Sequence, residues 1–161
     1  MRYLTRFLID WPESVARHFL WAGPLVARLI VGYGFMLTGW GKLNNLPRMI
    51  QNFTEWGIPF PQFLTPVASG IEFFGGLFLI LGLFTRLSGG ALAVVMLVAI
   101  KAAKADQIDS LDTLLGFEES IYFAIFTWLA IAGAGKASLD FLLQRHPERA
   151  ESSVNRLQEL P

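Results

Sequence analysis

Cysteine is absent from the 161 residues. That removes disulfides, thiol redox chemistry, thiolate metal sites and thioether-linked haem from this chain. Only two histidines occur, His18 and His146, both outside the apolar runs. A haem clamped between membrane histidines is therefore not expected, and the runs lack the further His and Glu that a dimetal site needs. Charge is scarce and balanced, with 13 Lys and Arg against 13 Asp and Glu, together 16% of the chain. A soluble domain carries about a quarter. The balance leaves no basic face for nucleic acid. Also missing are a Ser-His-Asp set, a Gly-rich phosphate loop and a dinucleotide fingerprint; "GYG" and "GWGK" sit inside an apolar run and read as packing glycines.

Apolar residues are abundant, at 53% of the chain, with 14% aromatic. A membrane-spanning helix needs about 20 mostly apolar residues, because the hydrocarbon core is about 30 Å thick. Four runs are read this way: 22–43, 64–85, 87–104 and 118–136. Four in so short a chain leave no polar face to cover them, so the reading is an all-α integral membrane four-helix bundle over residues 22–143. Residues 1–21 read as an amphipathic N-terminal segment on the membrane surface, with Leu4, Phe7, Leu8, Trp11, Val15 and Phe19 as its apolar stripe. Asp10, Pro12 and Glu13 interrupt any secretory core there. Residues 144–161 read as a solvated tail. Between the first two spans, "PRMIQNFTEWG" suggests a short interfacial helix ended by Gly57, while "ADQIDSLDTLLGF" reads as a polar, acidic connection.

Basic residues set the expected direction. Arg2, Arg6, Arg17, Arg86, Lys136, Arg145, Arg149 and Arg156 fall on one side; Lys42, Arg48, Lys101 and Lys104 fall on the other. The positive-inside rule then puts both termini in the cytoplasm.

Ionisable residues at bilayer depth are costly, so their positions carry information. At helical spacing, Thr65, Ser69, Glu72, Gly76 and Arg86 share a stripe of the second run, and Arg28, Gly32, Gly39 and Lys42 share one of the first. The third run groups Gly90, Val94, Leu97 and Lys101; the fourth groups Glu118, Tyr122, Ile125 and Leu129. If these stripes face inward, a cluster of charges lies in the outer half of the bundle, with Arg28 beneath it. Glu72 has two candidate partners, Arg28 below and Lys42 above, between which spacing does not choose. The cluster is either interhelical glue in a dry bundle or the lining of a polar cavity.

Several of these residues also fall in motifs that occur in order along the chain. "RLIVGYGFMLTGWGKL" is followed by "GIPFPQFLTPVASGIEFFGGLFLILGLFTRLSG" and then by "AGAGKASLDFLL". This set resembles the DoxX family of small four-span membrane proteins. The matching positions are Arg28, Gly39, Gly41 and Lys42; Gly57 and Pro59; Glu72, Gly75 and Gly76; Gly82, Thr85 and Arg86; and Gly135 with Ser138 and Asp140. The family often has Gly-Pro-Gly before its final Ser-Leu-Asp, where this chain has Gly133, Ala134 and Gly135.

The resemblance implies a subunit of a redox complex in a bacterial inner membrane, binding a quinone or a small reduced substrate inside the bundle. In that picture Glu72 or Glu118 exchanges a proton with the bound molecule. Arg28 and Lys42 stabilise developing negative charge on oxygen, and Lys101 and Tyr122 complete the binding set. Electrons would come through an organic cofactor or a partner oxidoreductase chain, and a homo-oligomer fits the same picture. The competing reading is a non-enzymatic scaffold, assembly factor or small-solute carrier; against a carrier, the halves show no internal repeat.

Overall fold

The computed structural model describes residue 17 and residues 19–143. Most of the amphipathic segment expected over 1–21, and all of the tail over 144–161, lie outside the described residues. The rest is helical, with no strand among the described residues. Helix α1 runs Ala22–Asn44, α2 Leu46–Glu55, α3 Pro61–Leu81 and α4 Thr85–Ala103. A 3₁₀ turn, Ala105–Gln107, and the short α5, Leu111–Gly116, lead into α6, Glu118–Ala132.

Helices α1, α3 and α4 are long and apolar enough to cross a bilayer. Exposed Ile30, Phe74, Val94 and Ile131 show where the bundle meets an apolar surrounding rather than water. The short α2 has no buried residue and begins with a proline in its first turn, as the interfacial reading expects. Gly57, at φ 68°, follows its end. The connection read as merely polar is more ordered than that: the Ser110 hydroxyl accepts from the Thr113 amide at 3.3 Å and caps α5.

Glycine seams determine which helices touch. A Cβ on Gly39 would run into the backbone of Phe73, and one on Gly76 would lie 2.5 Å from the Met36 amide nitrogen. Gly32 meets the Gly76 carbonyl in the same way. Helices α1 and α3 therefore cross antiparallel at backbone contact, as small residues allow in membranes. Gly89 plays the same part between α4 and α6, where a Cβ would lie 2.9 Å from the Phe126 carbonyl oxygen. These two tight pairs join more loosely, with Phe35 of α1 edge-on to Tyr122 and Phe126 of α6 at 5.1 and 4.8 Å. Gly39→Ala is expected to cost about 1–3 kcal/mol by forcing helices α1 and α3 apart. Gly41→Ala, where nothing lies within 4 Å, should leave the melting temperature in detergent unchanged.

Three expectations are corrected. The stripe Gly90, Val94, Leu97 and Lys101 does not face inward; α4 buries Ser88, Gly89, Leu92, Ala93 and Met96, while Leu97 and Lys101 are exposed. Apolarity surrounds this helix, so hydrophobic pattern could not locate its inner face; the contact of Gly89 with α6 does. Arg86 is not on the α3 stripe, because α3 ends at Leu81 and Gly82, at φ 65°, turns the chain into α4. The fourth run stops at Ala132 rather than 136, since Gly133 (φ 81°) and Gly135 (φ 74°) bend the chain back. Its 15 residues span about 22 Å at 1.5 Å per residue, short of the hydrocarbon thickness.

The bend has a purpose at the end of the bundle where α3 meets α4. Asp140 comes under the turn, and its two carboxylate oxygens accept from the Phe84 and Thr85 amides at 2.8 and 3.0 Å. A carboxylate on the open amides of a helix start is favourable in both hydrogen bonding and dipole terms. The Asp140 amide donates to the Gly82 carbonyl at 2.9 Å, and Ser138 caps the following turn through the Phe141 amide at 3.2 Å.

Candidate functional site

Arg28 belongs to this clasp. It is fully buried; Nη2 donates to the Ala137 carbonyl at 2.5 Å and Nη1 reaches the Leu79 carbonyl at 3.5 Å. Asp140 lies near enough for their charges to attract. A Cβ on Gly82 would strike the guanidinium. Arg28, Gly82, Thr85, Ser138 and Asp140, drawn from separate stretches of sequence, thus converge on one knot of hydrogen bonds.

Glu72 pairs with Lys42. The Lys42 Nζ donates to Glu72 Oε1 at 2.6 Å. The carboxylate side chain is only 4% exposed and the lysine 34%, so the pair is sealed on the Glu72 side and open on the other. Glu72 Oε2 is buried without a hydrogen-bond partner among the described residues, as are the hydroxyls of Thr65 and Ser69 on the same stripe of α3. A buried oxygen left unpaired costs about 1–3 kcal/mol, more for a charged group. Helix geometry explains the choice of partner. Each Cα–Cβ bond tilts toward its own helix N-terminus. With α1 and α3 antiparallel, Lys42 leans down toward the level of Gly39 and Glu72 leans up to meet it, while Arg28 leans away. Arg28 sits at the level of Leu79, about 10 Å along α3 from Glu72 by the helical rise.

Beside the pair lies a cavity of about 620 Å³ between the two tight helix pairs. Small-molecule sites span about 300–1,000 Å³ and are mostly apolar with a few placed polar groups. The description fits here. Valine, isoleucine and methionine side chains of α1, α3 and α4 form the walls, and the polar groups are Thr38, Lys42, Glu72, Lys104, Glu118, Glu119 and Tyr122. Ile30, Val67 and Val94 on its walls are themselves exposed at mid-helix, so the cavity opens sideways through the lipid-facing surface.

Of the six residues singled out from sequence, Glu72, Glu118, Lys42 and Tyr122 line this one cavity. Arg28 lies in the clasp, and Lys101 is exposed and does not line it. Lys104 takes the place expected of Lys101, its ammonium 5.3 Å above the Phe117 ring. Phe53 in the last turn of α2 and Trp56 just beyond it also line the cavity. Sequence reasoning passed over them; the signal present was an aromatic pair at helical spacing facing the bundle mouth. Glu118 and Glu119 stand in the first turn of α6, where the helix dipole favours acids.

A DoxX family model matches residues 23–105. "Inner membrane protein YqjF" of Escherichia coli (strain K12) is 29% identical over 123 residues, covering 76% of this chain and 93% of that protein. A Bacillus subtilis (strain 168) protein named "Putative oxidoreductase CatD" is 31% identical over 120 residues, covering 73% and 84% respectively. No solved structure gives a significant match.

Proposed function

This chain belongs to the DoxX family of membrane proteins, and from that premise we propose that its cavity binds a quinone or a small reduced substrate for a membrane redox complex. The observation carrying the proposal is Glu72: one oxygen held by Lys42, the other buried and unpaired, in the wall of an apolar cavity that opens to lipid. A relative bearing an oxidoreductase name supports the same reading.

The donor set suits a ring with polar oxygens. A quinone supplies the electron chemistry when bound. Lys42 and Tyr122 can donate hydrogen bonds to its oxygens, and Phe53 and Trp56 offer faces for the ring. Glu72 is placed to hold or release a proton inside, with Glu118 at the mouth passing it onward. Lys42 and Lys104 favour negative charge on oxygen as it develops. Arg28 is assigned to holding the fold rather than touching substrate. Both termini are assigned to the cytoplasm of a bacterial inner membrane, which puts the Glu118 end of the cavity toward the outer side.

The test is purification of the full chain in mild detergent, with mass spectrometry of co-purifying proteins and extraction of bound quinone. Quinone, and an oxidoreductase partner retained with it, are the expected results. A bare homo-oligomer that neither carries quinone nor binds added ubiquinone-1 would overturn the proposal.

A further inference from the structure

A second cavity, of about 500 Å³, lies at the opposite end of the bundle, where α6 ends and α4 begins. Its polar lining includes Arg86, Lys136 and Asp140, and its rim includes Phe84 and Leu87. Asp140 is already committed: both oxygens accept backbone amides, and its charge faces buried Arg28. Arg86 and Lys136 form no ion pair with any described residue, so among the described residues the cavity carries two cations without a salt-bridge partner. Bare glycine backbone supports one of them, since a Cβ on Gly133 would lie 3.3 Å from the Arg86 Nε.

We propose that this cavity seats the headgroup of an anionic phospholipid, with Arg86 and Lys136 on the phosphate and Phe84 and Leu87 against the acyl chains. The site lies at the helix ends, where a bilayer's phosphates lie. Phe84 and Leu87 are 56% and 73% exposed; this apolar rim matches a lipid and would serve a free phosphate ion in no way. Basic pockets between membrane helices bind such headgroups on electrostatic grounds. The inference is independent of what occupies the larger cavity.

The full chain, stripped of lipid in detergent, would be titrated with phosphatidylglycerol and read by native mass spectrometry. One lipid per chain should be retained, and millimolar inorganic phosphate should not displace it. The R86Q/K136Q double variant should bind about 30-fold more weakly, at roughly a fivefold factor per basic residue. Phosphatidylcholine binding as tightly as phosphatidylglycerol would overturn the proposal. So would displacement by inorganic phosphate, or a double variant that binds as wild type. The wild-type comparisons decide the matter even if the double variant does not fold.

Discussion

Arg28→Met should nearly abolish accumulation of the protein in membranes, with a loss of about 3–5 kcal/mol in folding stability. The substitution removes a fully buried guanidinium that holds the Ala137 carbonyl at 2.5 Å and faces Asp140. Methionine fills part of the volume but leaves that carbonyl unpaired and removes the buried charge that attracts Asp140. Since a domain's total stability is about 5–15 kcal/mol, the loss is a large share of what exists. Arg28→Lys should be only partly protective, because one ammonium cannot reproduce the planar fork that reaches two carbonyls. Gly82→Ala should act in the same direction without touching a charge. It places a methyl where the guanidinium lies and holds a non-glycine residue at φ 65°. Membrane fractionation and thermal melts in detergent check both. If Arg28→Met accumulates and melts as the wild type does, the clasp is not what holds α1, α3 and α4 together.

Glu72→Gln should have the opposite signature: near-normal accumulation and loss of cavity chemistry. The amide keeps the shape of the side chain, and its carbonyl can still accept from Lys42, so the melting temperature should move little. The proton-exchanging group is gone, and general acid–base groups contribute typically about 10²–10⁴-fold to rate. A quinone-linked turnover should fall by that order, while Glu118→Gln, at the exposed mouth, should cost less. Lys42→Met should be the more destructive of the pair, since it leaves a carboxylate with 4% exposure and no partner. Full activity in Glu72→Gln would refute a proton role. Loss of the protein itself would reduce the pair to glue.

The membrane bundle was written in composition and run length. Four apolar stretches with no polar face admit few other solutions, and the stripes of α1, α3 and α6 follow from a period of 3.6 residues. Residues Thr65, Ser69, Glu72 and Gly76 were correctly placed on one buried face because they stand out against an apolar helix. The same method misplaced the inner face of α4, where small and apolar residues occur on every side and no polar stripe marks it.

Contacts between distant residues were beyond that reach. Glu72 meets Lys42 and not Arg28 because the Gly39 and Gly76 crossing sets an antiparallel register, and the backward tilt of Cα–Cβ bonds then brings two side chains together and parts the third. Lys104 lines the cavity in place of Lys101 because α4 is rotated by its contact with α6. Helix α6 ends at Ala132, and the turn at Gly133 and Gly135 brings Asp140 to two free amides at the start of α4, a contact between distant segments. Local periodicity is a property of one segment; register, rotation and capping across 30 to 110 residues depend on partners that only the folded chain brings within reach.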